Sequence, residues 1–186
     1  NKIEVAKQIP PEKLDQEFKL EHNQEIAVKT LGLKWISNED AFTYEALKKL
    51  PDKITKRSFL STLARIFDPL GFLSPFIIRG KMITQKLWLL GVDWDDKLPI
   101  NIEEKAKFWI EEIQSIATVR IERCLIQQKE SNVELHMFCD ASIDGYGSVC
   151  YLRGIKDETV IIRIVAAKNK VTSTKTVSIP RLELMA

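Results

Sequence analysis

A chain of 186 residues is long enough for one large domain or two small ones. It is 45% apolar and 29% charged, so it has the means to bury a core. Three cysteines without a Cys-x-x-Cys pair, and only two histidines, argue against a zinc site. No run approaches the roughly 20 apolar residues of a membrane span, and no signal peptide is visible.

The net charge of +2 points to no partner class, but its distribution is uneven. Residues 51–90 hold seven basic residues against two acidic ones, and residues 91–130 hold six against nine. A basic block beside an acidic one suggests a polyanion contact over part of the surface, with a solvated helix face as the alternative. The cysteines, Cys124, Cys139 and Cys150, suit a reducing compartment, and the last two are expected to pack in a core. The start at Asn1 rather than Met, and an end inside a predicted helix, are expected of a piece of a longer polypeptide.

Residues 1–24 are polar, with Pro10-Pro11 ahead of a short amphipathic stretch carrying Leu14 and Phe18. Glu25–Ile36 reads as a strand and Ala41–Leu47 as its hairpin partner across a turn at Ser37–Asp40. Thr55 can cap a helix in which Phe59, Leu60, Leu63, Ile66 and Phe67 keep helical spacing until Asp68-Pro69-Leu70-Gly71 ends it. Ser74-Pro75 starts a second helix and Gly91 stops it. Asn101 with Glu104 predicts a capping-box start for a third, whose buried stripe is Ala106, Trp109, Ile110, Ile113 and Ile116. The pattern then changes to strands, at 119–126, 133–139, 146–152 and 159–167. Residues 168–178 read as a polar loop, and Pro180 opens a last helix.

The stretch Glu134–Arg153, ELHMFCDASIDGYGSVCYLR, carries the chemistry. Val133, Leu135, Met137 and Cys139 alternate with polar or aromatic neighbours, the period of a half-buried strand. Asp140 stands at its end. Glu183 follows 43 residues later in the first turn of the Pro180 helix. An acid on a strand and a second at a helix start, brought together by folding, can form half of a carboxylate cage for magnesium.

FCDAS…GYGSV followed by PRLELMA resembles the first half of a ribonuclease H domain of the retroelement type. The resemblance implies that Asp140 and Glu183 are metal ligands and catalytic residues. It also implies that further Asp ligands lie downstream of Ala186. KTLGLKW, then TKRSFLSTLARIFDPLGFLSPFIIRGKMITQKLW and WDDKLP, are similar to the Pol polyprotein of BEL/Pao-type LTR retrotransposons, just after the reverse transcriptase palm.

The fold class implied is α+β or α/β, a hairpin and a helical thumb-like region followed by a truncated ribonuclease H-like mixed sheet. Residues 1–50 would close the palm, 51–117 form the thumb and connection, and 118–186 begin the ribonuclease H domain. A polymerase holds a duplex through phosphates, so Lys56, Arg57, Arg65, Arg79, Lys81 and Lys86 are candidate nucleic-acid-binding residues.

The implied partners are an RNA/DNA hybrid or primer–template duplex and the rest of the polyprotein, with no membrane. The implied cofactor is a pair of magnesium ions, held only by the complete ribonuclease H domain. The implied location is a cytoplasmic virus-like particle or the nucleus. The parent protein would be an RNA-directed DNA polymerase and hybrid ribonuclease. No Tyr-x-Asp-Asp strand is present, so this chain is not expected to polymerise DNA, and without the further Asp ligands it is expected to be inactive as a ribonuclease on its own. Two other readings stay open: an inactive nucleic-acid-binding relic, or a segment carrying a Pao-type peptidase label without the Asp-Thr/Ser-Gly turn that peptidase chemistry needs.

Overall fold

A computed structural model describes residues 27–30, 33–47, 49–126, 131–175 and 177–186. The amphipathic stretch around Leu14 and Phe18 lies outside them. Strands β1 (Ala27–Thr30), β2 (Leu33–Ile36) and β3 (Ala41–Tyr44) are followed by helices α1 (Lys56–Ala64), α2 (Ser74–Leu89) and α3 (Ile100–Glu112). A 3-10 turn at Ile113–Thr118 leads to β4 (Ile121–Glu122), then β5 (Ser131–Ala141), β6 (Gly145–Lys156), β7 (Thr159–Val171) and α4 (Ile179–Glu183). The architecture is α+β, with one sheet in the order β1-β2-β3-β4 and a second in the order β5-β6-β7.

The run Glu25–Ile36 is not one strand. It folds back on itself, so that Ala27 faces Ile36 and Thr30 faces Leu33. Leu31 and Gly32, between the two strands in sequence, lie outside the described residues. The β2–β3 turn at 37–40 is as expected. There Asp40 takes a left-handed φ of 54°, and its carboxylate accepts from the Trp35 indole and the Arg123 guanidinium. The strand expected at 119–126 shrinks to two residues. It pairs with β3 rather than with β5–β7, because Arg123 is tied back to Asp40. The second sheet is wholly antiparallel rather than mixed. A parallel strand needs a crossover, and β5, β6 and β7 follow one another through short turns.

Thr55 caps α1 as expected, in a box with Ser58. The other two helix starts differ. Leu73 and Pro99 hold the cap positions without a side-chain bond, so neither Ser74 nor Asn101 acts as a cap. Helix α3 buries Ala106, Trp109 and Ile110 of the predicted stripe, and Ile113 and Ile116 are buried from the 3-10 turn that follows it. Trp109 stacks on Phe76 at 4.7 Å, packs against Phe59 at 5.1 Å and donates its indole N–H to the Phe76 carbonyl. Gly80 makes that possible, since a Cβ there would lie 2.8 Å from the indole ring. Leu33 and Tyr44 of the first sheet join the same cluster, so hairpin and helices share one core.

The loop between α1 and α2 is built on Asp68. Its carboxylate accepts from the backbone N–H groups of Phe72 and Leu73 and from the Tyr44 hydroxyl. Burial, with the Asp68 carboxylate beside it, pushes the Tyr44 phenol far above its ordinary range. Tyr44→Phe is expected to cost about 1.5–3 kcal/mol, the worth of a hydrogen bond to a charged group. Urea unfolding checks it: unchanged stability would mean that the two backbone donors satisfy Asp68 unaided.

The two sheets are tied together. Arg163, 6% exposed on β7, bonds Glu122 at 3.1 Å and the Leu125 carbonyl. Helix α2 packs on β7: Lys81 donates to Asn169 Oδ1 at 2.8 Å, Asn169 Nδ2 to the Ser74 carbonyl, and Gln85 to the Thr172 carbonyl. Burial lowers the Lys81 ammonium pKa, and the nearby Asp68 charge partly offsets that.

Candidate active site

Asp140 sits at the end of β5, exposed, in the cross-sheet row Asp140–Gly147–Asn169. By strand alternation its side chain shares a face with Phe138 and His136. One carboxylate oxygen accepts from the Ala141 N–H at 2.9 Å. A 750 Å³ cavity opens there between the sheet and the start of α2, lined among others by Asp140, Phe138, Tyr146, Ile78 and Met82.

The turn after Asp140 is held from within. The Ser142 hydroxyl donates to the Gly145 carbonyl and accepts from the N–H groups of Asp144 and Gly145. It is therefore spent on the turn rather than offered to a ligand. Asp144 is a turn residue, as its position suggests. Thr172, at the end of β7, donates its hydroxyl to the Ile143 carbonyl at 2.6 Å and its N–H to that of Asp144. Because Gln85 of α2 holds the Thr172 carbonyl, helix α2 braces the turn beside Asp140.

Pro180 lies in the first turn of α4. The helix packs against β5 with Leu182 only 1% exposed, while its neighbour Glu183 is exposed. The elements that carry the two acids are thus in contact. No group of three or more His, Cys, Asp or Glu side chains able to hold a metal is found among the described residues. A pair of carboxylates is the right chemistry for magnesium, which prefers hard oxygen ligands and keeps waters, but it is only part of a cage.

The strand was read correctly, but it is not half-buried in alternation. Leu135 is 64% and Met137 71% exposed, and Cys139 is exposed rather than packed.

The six basic candidates are mostly committed elsewhere. Lys56 is buried, with its ammonium on the Val92 carbonyl and 4.3 Å from the centre of the Trp88 ring. Arg57 forms a two-point bridge to Asp95, which raises the guanidinium pKa and lowers that of the carboxylate. Arg65 bonds the Lys49 carbonyl and Thr62, Arg79 bonds Glu112, and Lys81 bonds Asn169. Lys86 alone of the six is exposed without a side-chain partner among the described residues. Sequence reasoning passed over Lys168, Lys170, Lys175 and Arg181. All are exposed, and none of their side chains has a partner among the described residues. The signal was present: residues 160–182 hold five basic residues and no acidic one.

The model of the Pao retrotransposon-like RNaseH-like domain matches residues 55–186. The chain belongs to that family. The match begins at the cap of α1, so the family's domain includes the helices as well as the β5–β7 sheet and both acids. The ties between α2 and β7 are the physical counterpart of that extent. No curated protein matches the chain. Among the described residues no helix is long and apolar enough to cross a membrane.

Proposed function

We propose that this Pao-type segment is part of the RNA-strand-cleaving machinery of a retroelement Pol polyprotein that acts on an RNA/DNA hybrid. One observation carries the reading: two acids 43 residues apart both stand exposed on elements that pack on each other, one of them lining a cavity. Asp140 and Glu183 would hold the magnesium. Two such ions, completed by acids from elsewhere in the polyprotein, would supply an activated water and charge relief on the phosphate. The chain's own residues orient the acids. The Ala141 N–H fixes one oxygen of Asp140, and burial of Leu182 against β5 keeps Glu183 outward.

Residues 1–50 as the end of a palm and 51–117 as thumb and connection remain part of this proposal. The shared core of hairpin and helices, and the hold of α2 on β7, favour a fixed connection over a swinging thumb. The test is hydrolysis of a labelled RNA/DNA hybrid by the polyprotein that contains this segment. The expected outcome is magnesium-dependent cutting of the RNA strand and none of the matching DNA duplex. Equal cutting of both duplexes, or none in any preparation that still polymerises, would sink the reading and favour a binding relic.

A further inference from the structure

The helices do not present the cations a duplex would need, and the far side of the second sheet does. Strand β7 pairs Lys168 with Ser148 and Lys170 with Tyr146, and these face Cys139 and Ala141 of β5. The two lysines therefore bracket the row that holds Asp140. Neighbouring strands lie about 4.8 Å apart, so the lysines attach roughly 10 Å from the Asp140 strand. Lys168 lines the same cavity as Asp140. Alternation starts both stems on the face opposite Asp140, but β7 is an edge strand among the described residues. Four-carbon stems at an open edge can turn toward a polyanion lying across the end of the sheet.

The connection that follows carries the same charge. Thr172 pins its start to the turn after Asp140, Lys175 lies within it, and Arg181 stands two residues before Glu183. From 160 to 182 no acid offsets them. Arg163, the fifth basic residue of the stretch, is buried on Glu122 and takes no part.

We infer that Lys168, Lys170, Lys175 and Arg181 form a phosphate-binding edge that holds the nucleic-acid backbone beside Asp140 and Glu183. This deepens the hybrid-cleavage reading and rests on it. Such contacts carry no sequence information and act by releasing counterions. Five of the six helix cations are already engaged, and Lys86 stands alone without a like-charged neighbour among those six that is free.

The experiment is fluorescence anisotropy of a short labelled RNA/DNA hybrid titrated with the full 186-residue chain, from about 50 to about 200 mM salt. Each lost phosphate contact reduces the salt slope by about one. Lys168→Gln with Lys170→Gln should make the slope shallower by about two, and Lys175→Gln with Arg181→Gln by a similar amount. Replacing both lysines by Arg should restore the slope, which a merely structural role would not require. Arg57→Gln with Arg65→Gln and Arg79→Gln should leave it unchanged. An unaltered slope in the lysine variants, loss of slope in the helix variants, or no binding by the parent chain would each overturn the inference. Cleavage is scored separately, by Asp140→Asn in the polyprotein. If that variant still cuts while the lysine slopes change, Asp140 has no part in the metal site and the binding edge stands. The reverse pattern removes the edge and leaves the cleavage reading.

Discussion

Asp140→Asn in the full polyprotein is expected to lower RNA-strand cleavage by at least 10²–10³-fold, the cost of removing one preorganised group that stabilises transition-state charge. Folding should be untouched. The asparagine oxygen can keep the bond from the Ala141 N–H, and the site is exposed, where substitutions stay within about 0.5 kcal/mol. What the variant loses is the negative charge. Glu183→Gln should act the same way, and the two together should cost little more than either, because groups that act as one unit are not additive. Polymerisation should continue, since the polymerase acids are not in this segment. Cleavage at the parent rate by a folded Asp140→Asn protein would remove Asp140 from the metal site. Unfolding of the variant would mean instead that the turn at 142–145 depends on the carboxylate.

What the sequence made legible was local. The Thr55 cap and the stripe through Trp109 each follow from neighbouring residues, while the β6–β7 hairpin is longer than expected, because β7 runs to Val171 into the stretch 168–178 read as a loop. That hairpin turns at Asp157-Glu158, both with positive φ, as a two-residue loop requires. Asp140 and Glu183 were picked out by local signals, a strand end and an expected helix start, but Glu183 is the last residue of α4 rather than part of its first turn. Tertiary partners were not. A count of basic residues over 51–90 cannot see that Asp95 and Glu112, from the acidic block beyond, engage Arg57 and Arg79. The two blocks that looked like a polyanion footprint and its neighbour in fact partly neutralise each other. Windows fixed at 51–90 and 91–130 also hid the unopposed run at 160–182. The loss of strand at 119–126 has the same origin, since Arg123 is claimed by Asp40, 83 residues away along the chain. Burial of β5 was misjudged because alternation predicts a face and not what covers it.

Gly71→Ala should be the most damaging small change in the chain. The string ARIFDPLGFLSP looks like a signature, and its structure gives it a mechanical reason. Gly71 has φ of +74°, a region that costs an L-residue about 1–2 kcal/mol. A Cβ there would also collide with the Ala167 carbonyl of β7. That obstacle is backbone, so no rotamer relieves it. Either the Asp68 loop or β7 must move, and movement breaks the 2.8 Å bond from the Ala167 N–H to the Leu70 carbonyl. It also pulls Phe72 and Leu73 off the Asp68 carboxylate. The expected loss is about 3–5 kcal/mol, at the upper end for single substitutions. The loop is where helices and sheet meet, so its failure should uncouple them. In the parent, the fluorescence of the four tryptophans, none of which lies in β5–β7, and far-ultraviolet circular dichroism should report one transition. In Gly71→Ala they should separate, with cleavage declining as the sheet loses the brace that α2 provides through Gln85 and Thr172. A single transition at the parent temperature would show that the loop yields without cost, and that the Asp68 string serves something other than this joint.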